Sequence, residues 1–255
     1  MRTATPVRPV LPTVSLTDAF KAVLHEGRGT DSLVFVGLFE LDDWWPWLDD
    51  AARLIDDAEQ RRAQARRQPV DRDRLILCYA LHRLLLGQFL RCDATTLPLW
   101  RDPAGCPRVA DGDIRTSLSH AGGCAAVAVT SSGPVGVDIE PAARAHVMAD
   151  IVERLCHPED MAMIGALHPK LRDQALLRLW VRKEAYLKAA GTGLQMEMNT
   201  FPAPQDAVLD LPDGSHSRVR MLEAGSGLVA AGAAPPGVEF QATWLRAPAP
   251  EGGAP

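Results

Sequence analysis

Arg115–Glu140 reads RTSLSHAGGCAAVAVTSSGPVGVDIE, and the fold turns on how this stretch is divided. RTSLSH, CAAVAVT and VGVDIE are strand-sized runs separated by turns rich in Gly, which predicts three strands in an antiparallel meander. Upstream, a short helix is expected near Thr17–His25, and the apolar run LVFVGLF (Leu33–Phe39) reads as a buried strand. Trp44, Trp45 and Trp47 crowd a turn at Pro46, as core or as an exposed recognition surface, with core preferred. A polar helix is expected over Leu48–Arg67 and a second from Pro69 to Leu90, whose Leu75, Cys78, Leu81, Leu85 and Phe89 share a face. Beyond Pro141 the pattern turns helical over His146–Cys156, Pro158–Leu167 and Pro169–Ala190, the last closed by Gly191. Strand-sized segments return from Gln205 to Leu245 with LPDG and APPG turns. Helices and strands in blocks favour an α+β fold over a doubly wound one.

Composition narrows the function classes. At 255 residues the chain allows one large domain or two modest ones, and 47% hydrophobic with 23% charged residues is ordinary globular usage. The 27 Lys and Arg against 32 Asp and Glu, net −5, argue against nucleic acid as the partner. Five cysteines (Cys78, Cys92, Cys106, Cys124, Cys156) are an odd number without a close pair, which suits reduced thiols and no zinc ribbon. Without a signal-like N-terminus or an apolar run of membrane length, a soluble cytoplasmic protein with no membrane partner is expected. Segments 1–14 and 247–255, rich in Pro, Gly and Ala, are expected to be extended or disordered.

Four features could carry chemistry. On a strand, Asp138 and Glu140 point one way and Val137 and Ile139 the other, to the core. Two such carboxylates are tolerable when solvated and useful when a hard cation such as Mg²⁺ sits between them. On the last long helix Glu184 and Lys188 stand one turn apart, as a surface ion pair or as a base or ligand beside a phosphate-seeking ammonium. Ser117-Leu118-Ser119-His120 ends a strand before Gly122-Gly123, where it could form a plain turn or offer hydroxyl and imidazole to an anion. Arg61, Arg62, Arg66, Arg67, Arg72 and Arg74 read mostly as a solvated helix face, from which one or two guanidinium groups suit phosphate.

In this order, S-L-S-H, then GVDIE, then W-x-x-K-E-A-Y-x-K-A-x-G-x-G-L (Trp180–Leu194) resembles the paired signature of the Sfp-type 4′-phosphopantetheinyl transferases. The likeness extends weakly upstream through the Arg-rich helix and ALHRLLLG, and so covers roughly Glu59 to Leu194. The resemblance implies two similar α+β halves with a pseudo-twofold relation, here 15–140 and 141–246, and an active site at their interface. It implies Mg²⁺-dependent transfer of phosphopantetheine from coenzyme A to a serine of an apo acyl or peptidyl carrier protein, by a monomer. Asp138, Glu140 and Glu184 would hold the metal, Glu184 would take the serine proton, and Lys188 would neutralise the leaving 3′,5′-ADP. Asp138, Glu184 and Lys188 thus form the implied catalytic set. Arg62, Ser119, His120 and Lys188 would grip the phosphates of coenzyme A. One departure is Gly105-Cys106-Pro107, where family members carry Gly-Lys-Pro; Arg101 or Arg108 is expected to supply the missing charge. The rival readings are a non-catalytic carrier-protein or coenzyme A binding module of the same fold, and an unrelated Mg²⁺-dependent phosphohydrolase.

Overall fold

Alternation along Arg115–Glu140 sets the layers. The computed structural model describes residues 12–24, 33–110, 113–193 and 196–249. The first part of the chain forms α1 (Leu16–Val23), β1 (Leu33–Glu40), a 3₁₀ segment (Leu41–Trp47), α2 (Leu48–Leu54), α3 (Asp57–Gln64), α4 (Pro69–Leu90), β2 (Leu99–Arg101), β3 (Pro107–Val109), β4 (Arg115–Ala121), β5 (Cys124–Thr130) and β6 (Gly136–Pro141). A second 3₁₀ segment (Ala142–Ile151) leads to α5 (Val152–Leu155), α6 (Pro158–Gly165), α7 (Pro169–Ala190), β7 (Val208–Asp210), β8 (His216–Leu222), β9 (Leu228–Ala234) and β10 (Glu239–Trp244). His25, Leu194 and most of the two terminal segments lie outside the described residues.

Two four-stranded sheets result, ordered β10-β1-β5-β4 and β6-β9-β8-β7, with β2 and β3 a separate ribbon, so the fold is α+β. The meander is not what forms. β4 and β5 are an antiparallel hairpin, but β6 leaves them and pairs antiparallel with β9. Gly133, at φ 128°, and Pro134, which has no N–H to give to a ladder, turn the chain away from the first sheet. In return, β10 lies parallel to β1. Each sheet therefore holds a strand from the other end of the chain, and residue 140 falls inside β6 rather than between sheets.

The sheets pack back to back. Val34, Val36, Leu38, Ala126 and Ala128 of the first sheet meet Val137, Ile139, Ala230 and Ala234 of the second. The opposite face of the first sheet, with Phe35, Phe39, Val127 and Val129, is covered by α4. Ala231, Ala233 and Val219 of the second are covered by α7. Each half thus lays one 22-residue helix on the outer face of its sheet. Trp44 and Trp47 are buried beside Phe20 and Phe39, so the tryptophan cluster is core.

Two expected helices are shorter than their patterns. The Leu48–Arg67 run breaks at Ile55, where Asp56 and Glu59 form a capping box that starts α3 afresh. Glu59 is needed there because it also pairs, with Asp56, to the buried Arg83 of α4. Over His146–Cys156 only Val152–Leu155 is α-helical; the chain before it is 3₁₀.

Candidate functional site

The site lies where β4, the edge of the first sheet, runs beside β6, the edge of the second. No backbone ladder joins them. Instead Ser117 Oγ accepts the Val137 N–H at 3.1 Å and Ser119 Oγ accepts the Ile139 N–H at 3.4 Å. Serine at every second position suits this seam, because those side chains leave β4 on the face toward β6. Ser119 Oγ also donates to Asp138 Oδ1 at 2.7 Å.

Val137 and Ile139 enter the core between the sheets, so Asp138 and Glu140 face α7, as the alternation requires. Lys188 of α7 donates to Asp138 Oδ1 at 2.7 Å and to the Val137 carbonyl at 3.0 Å. Two protons of the ammonium are thereby used and one is left. Glu140 pairs with Arg144, whose guanidinium lies 5.0 Å above the Trp180 ring. Burial first, and then the neighbouring Asp138 charge, push the Glu140 carboxyl up to about 7 and raise that of Glu184. Two buried carboxylates and a half-buried third, with Asp138 acting on both of the others, favour a bound cation.

They are not a ready-made cage. Among the described residues no three His, Cys, Asp or Glu side chains already converge as a metal site. Arg144 and Lys188 occupy two of the acids. What fits a cation is Asp138 Oδ2, buried and without a hydrogen-bond partner, on a carboxylate near enough to Glu140 and Glu184 to oppose the ionisation of both. An oxygen-only donor set of this kind suits a hard ion such as Mg²⁺.

Across β4, Thr116, Leu118 and His120 point to the α4 side, where His82 meets Thr116 at 2.9 Å. His120 is exposed at the strand end. Desolvation, followed by the charges of Arg66, Lys188 and Arg101, pushes its imidazole down to about 4, so the ring is neutral at neutral pH. Arg101 lies over the Tyr79 ring at 5.1 Å, and Arg62 acts on the same phenol. No carboxylate among the described residues pairs with Arg62, Arg66 or Arg101. Cations gathered without a paired carboxylate, with only the more distant charge of Asp71 opposing them at His120, suit an anion. Arg108 differs, since Asp102 already neutralises it at 2.7 Å. Arg74 is likewise consumed by Asp42 and Arg72 by Asp73, while of the exposed Arg61, Arg66 and Arg67 only Arg66 acts on His120.

Lys183, beside Glu184 in sequence, is fully buried. Its ammonium is accepted by Asp160 at 2.6 Å and by the carbonyls of Leu155, Met198 and Phe201 at 2.8, 2.7 and 2.7 Å. It pins three segments to the helix that presents Glu184. Two of the pinned residues, Leu155 and Met198, line a cavity of about 500 Å³ with Arg144, Ile151, Trp180 and Met196. Arg144 and the role of Lys183 escape a reading of the sequence, because nothing in local spacing reveals that Lys183 meets acceptors 15 to 28 residues away or that Arg144 rests on Trp180.

Residues 134–230 match the family model of the 4′-phosphopantetheinyl transferase superfamily. The chain is similar to a 4′-phosphopantetheinyl transferase of Bacillus subtilis, 31% identical over 147 residues, 52% of this chain and 64% of that protein. It is also similar to 4′-phosphopantetheinyl transferase HetI of Nostoc sp., 26% identical over 151 residues, 58% of this chain and 64% of that one. A third, 4′-phosphopantetheinyl transferase gsp of Aneurinibacillus migulanus, is 29% identical over 131 residues, 51% of this chain and 54% of that protein. The chain therefore spans just under two thirds, or less, of these relatives. The resemblance read from the motifs is borne out, and the matched stretch holds β6, α7 and the second sheet up to β9.

Proposed function

We propose that the protein moves the phosphopantetheine arm of coenzyme A onto a serine of an apo acyl or peptidyl carrier protein, with Mg²⁺, releasing 3′,5′-ADP. The observation that carries this reading is the seam at Asp138: a buried, unpartnered carboxylate oxygen beside Ser119 and Lys188, with uncompensated arginines one strand away. Asp138, Glu140 and Glu184 would hold the cation, which when bound supplies positive charge to a pyrophosphate. Lys188 keeps one ammonium proton for a phosphate oxygen. His120, Arg62 and Arg101 bind the remaining phosphates, neutral His120 by donating its one N–H, whereas Ser119, expected from the motif to join them, spends its only hydroxyl proton on Asp138 and orients that carboxylate instead.

Glu184 accepts the proton of the carrier serine. The serine oxygen bonds to the phosphorus that bears the pantetheine arm, and the bond from that phosphorus to the oxygen of 3′,5′-ADP breaks. Lys188 meets the charge that develops on the leaving phosphate. The cavity beside Trp180 is mostly apolar and adjoins Arg144, so it suits the uncharged arm. Positioning and charge neutralisation supply most of the rate. The two halves, which share strands across the seam, act as one monomer. Among the described residues no helix is long and apolar enough to cross a membrane, which is consistent with action in the cytoplasm on soluble carriers.

A non-catalytic binding module would have no use for Glu184 as a base. All three acids and Lys188 are retained, which favours an enzyme. Arg101→Ala and Arg62→Ala are each expected to weaken coenzyme A binding about tenfold in titration calorimetry, the scale of one lost charged hydrogen bond. Affinity equal to wild type in either variant removes that arginine from the phosphate site.

A further inference from the structure

The β2–β3 ribbon touches the turn after α7 at a place that neither the carboxylates nor the arginines around His120 explain. Past Ala190, Gly191 has φ 67° and Gly193 has φ 52°. A Cβ on Gly191 would lie 2.7 Å from Arg108 Nη2, and one on Gly193 would lie 3.3 Å from the Ala104 carbonyl oxygen. Glycine is required there for conformation and for room.

On the ribbon side one carboxylate organises the loop. Asp102 accepts Arg108 Nε at 2.9 Å and Nη2 at 2.7 Å, and it also takes the Cys106 N–H at 2.9 Å. The Asp102 N–H returns to the Cys106 carbonyl at 3.0 Å. Arg101, the residue before, donates to the Gly105 carbonyl at 2.7 Å. The guanidinium that rests on Gly191 is thus tied to the whole loop.

We infer that the Gly191–Gly193 turn and the Arg108–Asp102 pair form a latch, which fixes the 102–106 loop and Arg101 against the end of α7 that carries Lys188. Gly191, Gly193, Asp102 and Arg108 are positioning residues for the nucleotide end of coenzyme A, an assignment that rests on the proposed function. Arg101 belongs to the first half of the molecule and Lys188 to the second. One ligand can meet both cations only if their spacing is held. The charge absent at Cys106 is thereby replaced by Arg101 held in place, while Arg108 does the holding.

Cys106 is half-buried and reports the loop's position; Cys78, Cys124 and Cys156 are buried and Cys92 can be replaced by serine. In that background Gly191→Ala is expected to raise the rate of thiol labelling at Cys106 about tenfold, and to weaken coenzyme A binding about tenfold, with turnover at saturating coenzyme A within about threefold. Arg108→Ala removes the obstacle together with the latch. Because the strain of an alanine at φ 67° remains, the double variant Gly191→Ala/Arg108→Ala is expected to bind coenzyme A less weakly than the two single losses combined would give. Additive losses, an unchanged labelling rate in Gly191→Ala, or turnover that falls in step with affinity overturns the latch. Wild-type protein that binds no coenzyme A overturns the proposed function instead, and the labelling rates, which need no coenzyme A, still decide on the latch.

Discussion

Glu184→Gln is expected to lower turnover in phosphopantetheine transfer by about 10³-fold, while coenzyme A binds within about threefold of wild-type affinity. The substitution keeps the shape of the side chain and removes its capacity to accept a proton. Glu184 suits that task because no Lys or Arg among the described residues pairs with it, and because burial and the Asp138 charge raise its affinity for a proton. Lys188, one turn further on, is hydrogen-bonded to Asp138, and its charge and that of Arg144 offset only part of the rise at Glu184. Steady-state kinetics with a saturating carrier, alongside calorimetric titration of coenzyme A, separates the two effects. Near-normal turnover in the variant would end the assignment of Glu184 as base.

Gly136→Ala is expected to be as damaging by a different route. A Cβ at this position would fall 1.8 Å from the Ala185 carbonyl oxygen and 2.7 Å from the Ala189 amide nitrogen, both backbone atoms of α7. Neither can swing aside as a side chain does. β6 and α7 must separate, at a cost of about 3 kcal/mol or more, the upper range for overpacking a core. That separation opens the Lys188–Asp138 contact and withdraws Glu184 from the acids on β6, so protein that remains folded should still lose transfer. Urea unfolding measures the loss of stability. A midpoint equal to wild type would mean that the close approach of strand and helix is not needed.

The sequence reading and the structure agree where a single element decides the matter. Pro69 and Pro169 start the two long helices, Arg91 at φ 52° and Gly191 end them, and both run as their patterns predict. The alternation in GVDIE correctly sends Val137 and Ile139 to the core and the acids to α7. Agreement ends where distant elements compete. β6 has the pattern of a third meander strand, yet β9, almost a hundred residues on, offers it a ladder that β5 does not. β10 crosses back to β1 for a reason equally invisible in local periodicity.

The candidate site divides the same way. Asp138, Glu140, Glu184, Lys188 and Ser119 were legible because their motifs are short and their types unusual for a strand edge or an exposed helix. Of the two arginines offered to replace the missing lysine, Arg101 is the one without a counter-charge and Arg108 is paired with Asp102. Spacing could not make that distinction, because it depends on how a ribbon folds over α4 and against the turn after α7. Lys183 is the plainest omission. In sequence it resembles any helix-surface lysine, and only the convergence of Asp160 and three carbonyls on its ammonium shows why a charge is buried there.

Intact-mass spectrometry of a panel of apo acyl and peptidyl carrier proteins, incubated with the protein, coenzyme A and Mg²⁺, tests the transferase reading without an intermediary. At least one carrier is expected to gain the mass of a single phosphopantetheine group, with none gained when Mg²⁺ is chelated or when the acceptor serine is replaced by alanine. Carriers that all keep their apo mass, with a protein shown to bind coenzyme A, would contradict transfer and leave a binding module in its place.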